Sequence, residues 1–71
     1  MYMISVSSKN LKYVGYDEPS KTLRIQFING TYDYYNVPKN IYHGLITTSS
    51  HNDYFIEYVK GKFDYSRVWF L

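Results

Sequence analysis

Three groups of side chains in this 71-residue sequence have the types and spacing to do chemistry. Tyr13, Arg24 and Tyr35 set aromatic rings beside a guanidinium, the combination that stacks bases and contacts phosphate. Gly15 falls among them, where a missing side chain would leave the backbone open to close approach. A plainer reading competes, in which Arg24 stacks on Tyr35 as a cross-strand cation–π pair. Lys60, Lys62 and Arg67 form a second positive group that could grip phosphates, although cations there also complement a helix C-terminus. Tyr32 and Tyr34 are the third group. Their alternation argues for rings in a core with hydroxyls reaching its rim.

Catalytic patterns are weak. His43 and His51 are the only histidines, and neither sits at metal-binding spacing with carboxylates on one helix face. Asp53 and Glu57 lie four apart at a helix start, where carboxylates are usually solvated. Ser49 and Ser50 adjoin His51 without a nucleophile elbow or oxyanion loop. The expectation is a binding domain, not an enzyme, with no metal and no cofactor.

The elements that must position these groups are led by a hairpin from Thr22 to Asn36. Asn29-Gly30 lies between two β-favouring runs and predicts a type I′ turn. A two-residue loop there sets Phe27 opposite Tyr32, Gln26 opposite Asp33, Ile25 opposite Tyr34 and Arg24 opposite Tyr35. Leu23, Ile25, Phe27, Tyr32 and Tyr34 then share an apolar face, while Arg24, Gln26, Asp33 and Tyr35 share the other. Met3–Val6 reads as a short first strand and Leu11–Asp17 as a second, joined to the hairpin by Glu18–Lys21. A four-residue loop puts Tyr16 opposite Leu23 and Val14 opposite Ile25, with Tyr13 and Gly15 on the outer face.

Val37-Pro38 opens a helix whose apolar positions are Ile41, Tyr42, Leu45 and Ile46. A second helix starts at Ser49 or Ser50, with Ser50 and Asp53 spaced as a capping box. Its stripe is Tyr54, Phe55, Tyr58 and Val59, and Gly61 stops it. The predicted fold is α+β: a three- or four-stranded antiparallel β-meander with two short helices packed on one face. Residues 1–71 form a single domain. The apolar tail Val68, Trp69, Phe70 and Leu71 follows a core that looks complete without it. Four such residues do not stay in water, so they fold back on the sheet or make the interface of a homodimer or higher homo-oligomer.

Composition narrows the function. A chain this short buries only about 60% of its unfolded surface. With no cysteine, no disulfide can help. Ten tyrosines within a 21% aromatic content supply large rings instead. A net charge of +2 falls short of a dense basic stripe. No apolar run is long enough for a membrane span, and the start lacks a secretory signal, so the expected place is the cytoplasm (the host cytoplasm if phage-encoded).

Read in order, Val-Gly-Tyr-Asp at 14–17, Leu-x-Ile-x-Phe-x-Asn-Gly at 23–30, Tyr-x-Tyr at 32–34, Val-Pro at 37–38, Tyr42, Ser50, Tyr54-Phe55 and Val59-Lys60-Gly61 resemble the KTSC domain. That family is named for the C-terminus of some lysyl-tRNA synthetases and also occurs as small stand-alone proteins of bacteria and phages. The resemblance covers about residues 4–68. It implies an RNA-binding accessory module. Asn52 stands where the family often has Gly, and Lys60 where it often has Arg, which loses a bidentate fork. The alternative is a homo-oligomeric binder of a nucleotide-like small ligand or a protein partner, such as a phage inhibitor or sponge. Steep salt dependence would mark the first reading, and a buried ligand site would show little.

Overall fold

The computed structural model describes residues 1–69, and Phe70 and Leu71 lie outside the described residues. Its centre is the hairpin of β3 (Thr22–Phe27) and β4 (Gly30–Tyr34). The turn differs from expectation. Phe27 pairs with Gly30, so Ile28 and Asn29 are the two turn residues, and the register runs Ile25↔Tyr32, Arg24↔Asp33 and Leu23↔Tyr34. Asn29 lacks the positive φ that a type I′ turn requires, and Gly30 takes φ +155 instead. Two contacts favour this register. Arg24 donates to both oxygens of Asp33, at 2.7 and 2.9 Å, a bidentate charge-assisted pair that the expected register forgoes. Gly30 also leaves room for the Arg67 guanidinium, which would lie 3.0 Å from a Cβ there. The slip is two residues, so every side chain keeps its predicted face.

β2 (Leu11–Asp17) meets β3 as predicted, with Val14↔Ile25, Gly15↔Arg24 and Tyr16↔Leu23. The four-residue loop turns through Lys21 at φ 54. β1 (Met3–Ser5) pairs with the outer edge of β2. A fifth strand was not expected: β5 (Tyr65–Val68) pairs with β4, Thr31↔Val68 and Tyr34↔Tyr65, completing the antiparallel meander β1-β2-β3-β4-β5. Val68 is buried within the chain's own sheet.

The helices α1 (Lys39–Thr47) and α2 (His51–Tyr58) cover one face. Leu45, Phe55 and Val59 pack with Leu11, Val14, Leu23, Ile25, Tyr34 and Val37 in one core. Tyr16 stacks on Tyr42 of α1 at 5.2 Å, and its hydroxyl donates to the Val37 carbonyl at 2.6 Å, fastening α1 to β2. Ser50 does not form the expected capping box. Its side chain makes no cap bond, and its own N–H is held by the Thr48 hydroxyl at 3.1 Å. His51 at the helix start donates Nδ1–H to the Leu45 carbonyl at 2.8 Å, so this histidine joins the two helices. After α2, Gly61 at φ +75 turns the chain as predicted.

Gly15 is not open. A Cβ there would clash with the Met3 sulfur and lie 2.9 Å from the Tyr2 carbonyl, so the N-terminal segment lies directly over it. Gly15→Ala should therefore cost about 1–3 kcal/mol by overpacking, read from chemical denaturation. A variant as stable as the parent would mean that this segment lies off the sheet.

Candidate functional site

Five aromatic rings on the helix-side face close into a cycle. Phe27 and Tyr32 come from the hairpin, Tyr65 from β5, Tyr34 from β4 and Phe55 from α2. Successive ring centroids are 6.0 Å (Phe27–Tyr32), 5.9 Å (Tyr32–Tyr65), 5.6 Å (Tyr65–Tyr34), 5.8 Å (Tyr34–Phe55) and 5.0 Å (Phe55–Phe27). Four of the five contacts are edge-to-face, the geometry that the ring quadrupoles favour. The cycle lines an open cleft of about 390 Å³, completed by Asn29, Lys60 and Gly61. That volume lies at the low end of the roughly 300–1,000 Å³ typical of small-ligand sites.

Tyr34 forms the floor. Its side chain is only 6% exposed, yet its hydroxyl has no hydrogen-bond partner among the described residues. No buried side-chain oxygen or nitrogen among them is left orphaned, so this hydroxyl gives onto the cleft. Burial, then the neighbouring phenols of Tyr65 and Tyr32, push its pKa up to about 12. The group stays a neutral O–H at ordinary pH, able to donate to a ligand.

The positive groups divide. Lys60 lines the aromatic cleft, delivered there by the end of α2, where its N–H and that of Val59 both reach the Phe55 carbonyl at 2.9 Å. Lys62 lies beyond Gly61 and lines a separate depression with Tyr35 and Asp64. Arg67 is the cross-strand partner of Tyr32, with its guanidinium 5.7 Å from that ring and 4.3 Å from Trp69. It donates to the Asn29 carbonyl at 3.2 Å. No carboxylate lines the cleft, and none pairs with Lys60 or Arg67 among the described residues.

The outer-face group keeps its face and loses its chemistry. Tyr13 is exposed, but Gly15 is covered and Arg24 is held by Asp33, a bond that raises the guanidinium's pKa. Tyr35 does not face Arg24, because the register sets Asp33 opposite the arginine, and the Tyr35 hydroxyl bonds to Ser66 of β5. What the sequence reading missed is Tyr65, the ring that closes the cycle. Its signal was Tyr65, Arg67 and Trp69 at alternate positions, which places all three on one side of a strand. Among the tail residues, Trp69 is exposed and Val68 is buried, while the interface expected at Phe70 and Leu71 lies outside the described residues.

A family profile for the KTSC domain matches residues 7–63. The chain belongs to the KTSC domain family. Four of the five cleft rings fall inside that match, and Tyr65 lies beyond it. The crystal structure of a KTSC domain protein from Yersinia pestis superposes with a TM-score of 0.93 at 32% identity, covering 96% of this chain and 97% of that one. A lysine–tRNA ligase of Nostoc punctiforme is 30% identical over 59 residues, or 82% of this chain. The chain spans only 10% of that enzyme's length. Among the described residues, no group of three or more His, Asp or Glu could hold a metal, and no helix is long and apolar enough to cross a membrane.

Proposed function

We propose that this KTSC domain is a small non-enzymatic binding module of the cytoplasm that takes a base of single-stranded RNA into the aromatic cleft. The observation that carries this reading is the hydroxyl of the buried residue Tyr34, open to the cleft and without a protein partner, at the floor of five rings. Flat rings stack on such walls, and stacking contributes about 1–3 kcal/mol per base. Electrostatics choose the charge of the ligand. An aromatic cage for cations would clash with Lys60, whereas a phosphate beside the base would pair with it. RNA is favoured as the polymer because a relative of this chain is, by its name, an enzyme that works on tRNA.

Fluorescence anisotropy of a labelled single-stranded RNA octamer tests this. The affinity should fall with salt at a log–log slope of about −0.7, for the one phosphate contact of Lys60 on a single strand. Tyr34→Phe keeps the ring and deletes only the donor. It should weaken binding about two- to tenfold and leave the unfolding free energy within about 0.5 kcal/mol of the parent. Absence of binding at low salt, or full affinity in Tyr34→Phe, would sink the assignment.

A further inference from the structure

Trp69 is the largest apolar side chain on the surface, 77% exposed, and it is the only tryptophan in the chain. It is not isolated. The Arg67 guanidinium lies between its ring, at 4.3 Å, and that of Tyr32, at 5.7 Å. Tyr32 is also a wall of the cleft, so a ring–guanidinium–ring ladder runs from the cleft to the exposed indole. We infer that Trp69 is a second stacking position for the same strand: one base enters the cleft, a neighbouring base stacks on Trp69, and Arg67 contacts the phosphate between them. This rests on the base-binding reading of the cleft and extends it to a minimum ligand longer than one nucleotide.

Three features support the extension. Arg67 has five N–H donors and spends one on the Asn29 carbonyl, and no carboxylate among the described residues claims the rest. Its planar fork, held between two rings, is pre-organised for a phosphate. Alternation along β5 puts Tyr65 and Arg67 on one side of the strand, and the Trp69 ring one residue past its end meets the Arg67 guanidinium, so the cleft wall, the cation and the indole are in contact in turn.

The lone tryptophan makes the test direct. The full chain is titrated with adenosine monophosphate and with a single-stranded adenylate tetranucleotide, following indole fluorescence and calorimetry. The tetranucleotide should quench Trp69 and bind about tenfold or more tighter than the mononucleotide, the worth of one added stack. Trp69→Ala, a change at an exposed site, should erase most of that advantage, so that calorimetry finds the two ligands binding within about twofold of each other. If the mononucleotide and tetranucleotide bind equally, or the tetranucleotide binds without quenching, the second position is wrong and the cleft assignment survives. If neither binds, both are wrong.

Discussion

Phe55→Ala should remove about 3–5 kcal/mol of stability, comparable to everything a domain of this size has. Phe55 is the buried side chain by which α2 meets the sheet, 5.0 Å from Phe27 and 5.8 Å from Tyr34. Truncation leaves a cavity bounded by stiff rings on one side and the short α2 on the other, so collapse can fill little of it. It also cuts two contacts from the five-membered cycle. Tyr34 and Phe27 then lose their common neighbour, and the cleft loses a wall. Urea denaturation reads the first effect and ligand binding the second. The two readouts separate in Phe55→Leu, which refills most of the volume without a π-face. That variant should recover much of the stability while still binding RNA poorly. A Phe55→Ala protein that unfolds with the parent would mean that α2 does not seal this side of the sheet.

The faces of the strands were legible in the sequence because a period of two survives a two-residue slip. Leu23, Ile25 and Tyr34 are buried as their alternation requires, although Tyr34 faces Leu23 and not Ile25. The register itself was not legible. Asn29-Gly30 is a strong local signal, but the chosen turn is decided by a cross-strand ion pair and by an arginine from β5, more than thirty residues downstream. The fifth strand was hidden for a related reason. Tyr65, Ser66 and Arg67 are all exposed, so β5 shows no apolar alternation and exists through its pairing with β4.

The candidate site shows the same division. Reading Tyr34 as a core ring with its hydroxyl at the rim matches its burial, and that rim is the cleft floor. The cleft as a whole needs rings from three separate segments, and no spacing rule brings Phe55 of a helix to Tyr65 of an unrecognised strand. The outer-face group of Tyr13, Gly15, Arg24 and Tyr35 failed as an open site through contacts invisible to local reasoning. Met3 covers Gly15, Asp33 holds Arg24, and Ser66 engages Tyr35.

Above pH 10 the parent should lose stability that Tyr34→Phe retains. The Tyr34 pKa rises from 10.0 to about 12, with burial as the largest cause, so the sign is fixed. Below pH 10 the phenol is protonated in both folded and unfolded chains, and the full contribution is present. Between pH 10 and about 12 the unfolded chain gives up this proton and the folded chain does not, so unfolding gains about 1.36 kcal/mol per pH unit. Tyr16, Tyr42 and Tyr54 are shifted the same way by burial and tilt the background in both proteins. The difference between parent and variant therefore isolates Tyr34. Urea unfolding at pH 9, 10 and 11 should show the parent falling faster, by about 1 kcal/mol over the last unit. Bound RNA should raise the Tyr34 pKa further, because a hydroxyl that donates to a ligand is harder to deprotonate. Equal losses in the two proteins would mean that water solvates the phenolate at the cleft floor. The donor assigned to Tyr34 would then have no dry site from which to act.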